Sequence, residues 1–276
     1  MGLTVLHASD IHFGKHFDPG AAEALSEFLD PLALDLIVLS GDFTQRAKVT
    51  EYKAARTFLK TLEPTPVVVT PGNHDIPLYR VWERLLAPRR NYRAFISRDL
   101  DTVTRVPGAT VVALDSTAPH TAIVNGRIGK SQLRFAAASF RDAEDGDLRV
   151  LVSHHNLAKA PGDEAGKILP GSRECLSAFS EMDVDLILGG HLHQTYWASS
   201  SDGVGDGEGA RPIPIVHTGT TTSMRGRAAE RGRNSLNLIR ISKEEVRVVP
   251  HLRDEETGTF QPSGEFCFHR DRRTAR

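Results

Sequence analysis

The run Val67-Val68-Val69-Thr70-Pro71-Gly72-Asn73-His74-Asp75 sets four β-branched residues and a proline directly before a polar Gly-Asn-His-Asp turn. Branched side chains pack well on a pleated surface, and so short a run without polar alternation reads as a strand buried on both faces. The turn then lies at the strand's C-terminal end. The same pairing recurs in both directions along the chain. Residues 3–8 lead to Asp10-Ile11-His12, 36–40 to Gly41-Asp42, 150–153 to His154-His155, and 186–188 to Gly189-Gly190-His191-Leu192-His193. Residues 110–114 form a further run of this kind.

Between these runs, residues 21–29, 51–62, 79–96, 131–140 and 172–179 carry apolar side chains at spacings of three and four, which predicts covering helices. Alternation of this kind points to an α/β architecture. The last third differs: 214–217, 235–241 and 246–249 follow one another with no helical pattern between them, which predicts antiparallel strands. Residues 199–209, rich in Ser, Gly and Asp, read as a hairpin tip or surface loop. The charged stretch after Arg253 reads as a loosely attached tail, so the expected division is a catalytic domain over 1–252 and a tail over 253–276.

Bulk properties narrow the function classes. A chain of 276 residues with 39% hydrophobic composition can bury one substantial core. Lys and Arg total 34 against 35 Asp and Glu, so no global basic field advertises a nucleic-acid partner, and none is expected. Cys175 and Cys267 are too few for a disulfide framework or a thiolate metal site. No basic leader and no apolar stretch of bilayer-spanning length is visible, which predicts a cytoplasmic protein without a transmembrane segment. Whether it works as a monomer or a homodimer is left open.

The candidate site residues all follow predicted strands. In open α/β sheets that edge is where loops converge and ligands bind, so groups distant in sequence meet there. Imidazole and carboxylate together suit first-row divalent cations such as zinc, manganese or iron, whereas magnesium and calcium prefer oxygen alone. A pair of such cations can neutralise a phosphoester, make a nucleophile of water at neutral pH and stabilise the leaving oxygen. No Gly-x-Ser-x-Gly elbow or Cys/His pairing competes with this reading.

Asp10-x-His12, Gly41-Asp42, Gly72-Asn73-His74-Asp75, a histidine after a strand and Gly190-His191-x-His193 stand in an order that resembles calcineurin-like metallophosphoesterases. The compact form is similar to the bacterial branch of cyclic-nucleotide and glycerophosphodiester phosphodiesterases. It also resembles hydrolases that split a pyrophosphate in lipid A precursors. The resemblance implies a four-layer α/β/β/α sandwich of two mixed sheets. It further implies two divalent metal ions (Mn2+, Fe2+/Fe3+ or Zn2+) that hydrolyse a small phosphodiester by attack of a metal-bound hydroxide. Carried over by motif, Asp10, His12 and His193 would hold one ion and Asn73, His154 and His191 the other, with Asp42 bridging. His74 would protonate the leaving oxygen or stabilise transition-state charge, and Asp75 would orient the His74 ring. The alternatives are a pyrophosphatase acting on a nucleotide-lipid such as a UDP-diacylglucosamine, and a non-catalytic scaffold.

Relatives of this branch read His-His-Pro-Pro where this chain has His154-His155-Asn156-Leu157, which leaves the loop's shape open. Successive side chains of an extended segment point to opposite sides, and the family's position aligns with His154. His7, His16, His120, His217, His251 and His269 read as core or surface residues, and Arg225, Arg227, Arg231 and Arg233 as a solvated loop or a phosphate contact. The arginine-rich segment over 77–96 is expected to form the wall that selects substrates.

Overall fold

Successive residues of the central strands face two different cores. The computed structural model describes residues 2–121, 126–163, 165–202 and 211–270. In it β1 (Leu3–Ala8), β2 (Leu36–Leu39) and β3 (Val67–Val69) run parallel, edge to edge. Leu3, Val5, Leu36 and Val38 point into one apolar cluster, while Leu6, Ala8, Ile37 and Leu39 point into another. That is why these strands show no polar alternation.

The first cluster lies between two sheets. Opposite β1, β2 and β3 stand β5 (Ala109–Leu114), β6 (Leu148–Ser153), β7 (Leu186–Gly189) and β9 (Pro214–His217), parallel to one another, with β4 (Thr102–Val106) and β8 (Tyr196–Ser199) antiparallel at the edges. Their inward residues, among them Val111, Val150, Val152, Leu186, Leu188 and Val216, share the core of Leu3 and Val5. The first sheet continues antiparallel through β10 (Ser235–Ile241) and β11 (Glu245–Arg253).

Helices cover both outer faces. α1 (Pro19–Leu29), α2 (Val49–Thr61) and α4 (Arg90–Phe95) bury Leu25, Tyr52 and Tyr92 on the first sheet. On the second, α5 (Lys130–Arg141) and α6 (Ser172–Glu181) bury Phe140 and Phe179. The result is the expected α/β/β/α sandwich of two mixed sheets. Among the described residues no helix is long and apolar enough to cross a membrane.

Three expectations need correction. The helix predicted over 79–96 is two short ones, α3 (Val81–Leu86) and α4, separated at Ala87-Pro88, where a proline disfavours helical conformation in the residue before it. The strand over 214–217 is parallel to β7, because the chain leaves the sheet through the edge strand β8 and returns between β8 and β7. The predicted loop between these strands lies largely outside the described residues. The tail expected from 253 onward is part of the domain through residue 270: β12 (Phe260–Pro262) and β13 (Phe266–His269) pair with β11. Phe266 and Phe268, two residues apart, pack against the inter-sheet core, a strand pattern that the charged surroundings disguise in the sequence. Residues 271–276 of the predicted tail lie outside the described residues.

Candidate metal centre

The strand ends that carry the candidate residues converge on one point where the two sheets meet. Asp10 and His12 follow β1, Asp42 follows β2, Asn73 opens a single 3-10 turn after β3, His154 follows β6, and His191 and His193 follow β7. Asp10, His12, Asp42 and His193 each bring one ligand atom to within 4.8 Å of all the others, and all four are buried. His193 Nε2 stands 3.1 Å from Asp10 Oδ1, and His12 Nε2 lies 3.4 Å from Asp10 Oδ1 and 3.6 Å from Asp42 Oδ2. On the far side of Asp42, His154 Nε2 is 3.4 Å from the same Oδ2 and 3.2 Å from Asn73 Oδ1, which His191 Nδ1 approaches to 3.0 Å. Asp42 thus stands between two groups of donors.

The backbone turns that present these residues are unusual. Among the described residues eight non-glycine positions have left-handed φ, and five of them are Asp10, His12, Asp42, His191 and His193. A side chain is uncomfortable there, and such conformations persist only where the surroundings over-determine them. Here the surroundings are interlocked amides. His12 N donates to Asp42 O, Asp10 N to Gly41 O, and Thr220 Oγ1 to Asp10 O. Gly72 is required at its position by close approach, since a Cβ would fall on the Asp42 carboxylate and 2.5 Å from the Asp42 amide nitrogen.

One oxygen of each carboxylate is anchored and the other is left bare. Asp10 Oδ2 accepts from the His191 amide at 3.0 Å and Asp42 Oδ1 from the His74 amide at 2.8 Å. Asp10 Oδ1 and Asp42 Oδ2 are buried and accept no hydrogen bond. The imidazoles are aimed likewise: His154 Nδ1–H donates to Ser40 O at 2.8 Å and His193 Nδ1–H to Arg225 O at 3.0 Å, which turns both Nε2 atoms inward. His12 and His193 bring Nε2 to Nε2 at 3.3 Å. Burial holds His12 neutral, lowering it to about 4, and lowers His191 to about 3. Buried anionic oxygens that accept no hydrogen bond, beside converging imidazole nitrogens, fit a cation.

Charge coupling follows the same geometry. Burial pushes Asp10 and Asp42 up, but the histidines around them outweigh it and hold both carboxylates below their ordinary range. Burial acts to lower His154 as well, yet Asp42 and Asp10 beside it raise it to about 9.

A family model described as calcineurin-like phosphoesterase matches residues 3–195. The chain belongs to this family. A probable cyclic nucleotide phosphodiesterase from Synechococcus is 28% identical to this phosphoesterase over 211 residues, 71% of this chain and 75% of that one. A UDP-2,3-diacylglucosamine pyrophosphatase from Chlamydia muridarum is 32% identical over 79 residues, 28% of this chain and 24% of that one. In fold, the phosphoesterase matches a purple acid phosphatase from yellow lupin seeds with a TM-score of 0.72 at 12% identity, over 99% of this chain and 55% of the lupin one. It matches a dimetal phosphatase from Danio rerio with a TM-score of 0.65 at 11% identity, over 97% and 98% of the two chains.

Of the pair after β6, His154 enters the centre. His155 turns its Nδ1 to Ser116 Oγ at 2.8 Å and lies tilted against His191, with ring centroids 4.6 Å apart and an interplanar angle of 45°. The expected role of Asp75 does not hold. Its carboxylate accepts from Gly72 N, Phe43 N, Thr44 N and Thr44 Oγ1, so it ties the β2 loop to the β3 loop. The His74 ring is held by Gln45, whose carbonyl accepts from Nδ1 at 2.9 Å.

Sequence reasoning missed Gln45, which no motif marks, and treated Arg225 only as one of a cluster. Arg225 Nη1 reaches His74 Nε2 at 3.0 Å while its carbonyl orients His193. His217, read as a core residue, is buried and donates from Nδ1 to Gly190 O, bracing the turn that carries His191. The centre opens into a cleft of about 660 Å³, walled by Lys167, Ile168, Leu169, Leu192, Arg225 and Arg227. The 77–96 segment, expected as that wall, is absent from the lining.

Proposed function

We propose that this chain is a cytoplasmic, binuclear metal-dependent phosphodiesterase. The observation that carries the reading is the pair of bare buried oxygens, Asp10 Oδ1 and Asp42 Oδ2, facing the inward nitrogens of His12, His193 and His154. That donor set suits manganese, iron or zinc. Asp10, His12 and His193 would hold one ion and Asn73, His154 and His191 the other, with Asp42 shared. A cation pair so held supplies neutralisation of the phosphate and activation of water at neutral pH.

The chain's own groups supply orientation and a fixed positive charge. With Nδ1–H given to Gln45 O, the His74 ring presents Nε2 as an acceptor and aims the Arg225 guanidinium at the mouth of the centre. Burial lowers His74, which keeps it an acceptor at neutral pH. This supports a role in stabilising transition-state charge through Arg225 over one as proton donor. Lys167 and Arg227 extend the positive wall, and Ile168, Leu169 and Leu192 offer apolar surface to a base or other leaving group.

Similarity to the Synechococcus protein supports a diester substrate. The nucleotide-lipid alternative draws on the apolar wall and on the shorter match to the pyrophosphatase. The scaffold alternative is disfavoured, because every residue type that the ligand set requires is present at the strand ends. The test is to strip the protein, reconstitute it with manganese, iron or zinc, and assay cyclic nucleotides, aryl diesters, aryl monoesters and UDP-linked acylated sugars. Two ions per chain with diesters turned over faster than monoesters is expected. Preference for the nucleotide-lipid would transfer the assignment, and a chain that takes up no metal and hydrolyses nothing would overturn it.

A further inference from the structure

Among the described residues, most of the exposed large apolar side chains fall in one stretch, with Trp197 and Met224 exposed elsewhere. Tyr79, Val81, Trp82, Leu85 and Leu86 are 51–81% exposed within eight residues of chain, and α3, which carries four of them, buries none of its residues. Val49, which opens α2, is exposed too, and the Ala47 carbonyl two residues before it accepts from Arg80 and Asn91. Scattered exposed apolar residues are ordinary, whereas a contiguous patch marks an interaction site.

The rim of the patch is cationic. Residues 77–98 hold six arginines and one glutamate, in a chain that is close to neutral overall. Arg80 pairs with Glu83, and Arg89 with Asp115, but Arg84 donates to the neutral carbonyls of Pro77 and Thr121. Arg90 and Arg93 on α4 are exposed, as are Lys53 and Arg56 on α2, the helix packed against it.

We infer that α3 and its basic rim dock the protein on an anionic lipid bilayer. Tryptophan and tyrosine suit the headgroup level, with apolar rings below and polar tips in water, while leucine and valine reach the acyl boundary. Arginines at the rim lie along the surface and pair with anionic headgroups. A second copy is a poor occupant, because a two-fold interface would set the same arginine-rich patch against itself. Docking leaves the centre beside the membrane: α3 starts six residues beyond Asp75, and Arg46, next to Gln45, lies over the Tyr79 ring at 4.9 Å. The inference does not depend on which phosphoester is cleaved.

The test uses the full chain with vesicles of phosphatidylcholine alone or mixed with phosphatidylglycerol, read by flotation and by tryptophan emission. A Trp197→Phe background leaves Trp82 as the sole tryptophan. Flotation with the anionic vesicles alone and a blue shift of Trp82 emission are expected. Leu85→Ser with Leu86→Ser, which keeps the Trp82 reporter, should abolish both, and Arg90→Glu with Arg93→Glu should weaken binding about tenfold or more. Turnover of a soluble ester should be unchanged in these variants, which shows that they fold. Equal binding to neutral vesicles, no flotation at low salt, or a concentration-dependent dimer that the serine variants dissociate would overturn the inference. Flotation that persists in the serine variants would do the same.

Discussion

Arg225 Nη1 lies 3.0 Å from Nε2 of His74, although the two residues are 151 positions apart. The ring's other nitrogen is committed to Gln45 O, so the pair acts as one device: the imidazole accepts and the guanidinium carries the charge. Arg225→Met should lower kcat/KM roughly tenfold to a hundredfold, the range for a charge-assisted hydrogen bond. His74→Ala should give a similar loss with metal content intact. Steady-state kinetics on the double variant checks the coupling: losses that add fully would show that the residues act independently.

Asp42 reaches a histidine of each group, with Oδ2 3.6 Å from His12 Nε2 and 3.4 Å from His154 Nε2. Asp42→Ala should therefore end joint occupancy, leaving at most one ion on the side of Asp10. Metal analysis of the purified variant reads this directly, and a variant that retains both ions would remove Asp42 from the bridging role.

His154 gives metal uptake a pH dependence. In the metal-free protein its folded value of about 9 lies above the ordinary 6.5, so its ion pair with Asp42 stabilises the fold fully below 6.5 and is lost as pH rises through 9. A cation needs the neutral ring, so binding at neutral pH should expel about one proton, and affinity should climb towards pH 9 before levelling. Calorimetry in buffers of different ionisation enthalpy measures the proton count. His154→Ala should bring that count near zero and weaken the second ion.

The C-terminal strands should matter for stability even though they lie far from the centre. Phe266 and Phe268 are partly buried against the inter-sheet core, so Phe266→Ala and Phe268→Ala should each cost about 1–2 kcal/mol, below the full-burial range. Denaturant unfolding at constant metal load tests this. Unchanged midpoints would restore the reading of this stretch as a loose tail.

Several features were legible because they rest on local pattern. Runs such as Val67-Val68-Val69 can be satisfied only by a strand covered on both faces, and the polar residues after each run fall at its C-terminal end. Other features failed for equally local reasons. Tyr79, Trp82, Leu85 and Leu86 have the spacing of a core-facing helix, yet Pro88 cuts the helix short and the side chains meet no neighbouring layer. Asp75 adjoins His74 in sequence, but the 3-10 turn points its carboxylate back to the amides of Phe43 and Thr44.

By itself the sequence determined the α/β alternation and the polar residues at the strand ends, because hydrophobic period and donor chemistry are carried by each residue and its neighbours; the four-layer sandwich and the ligand assignment were implied by the family resemblance. Tertiary structure alone decided that Asp10, His12, Asp42, His191 and His193 take left-handed backbone turns, that Gln45 and Arg225 frame His74, and that α3 faces outward. These depend on which distant amides and side chains occupy the same space, and such meetings follow from packing the two sheets rather than from any stretch of chain.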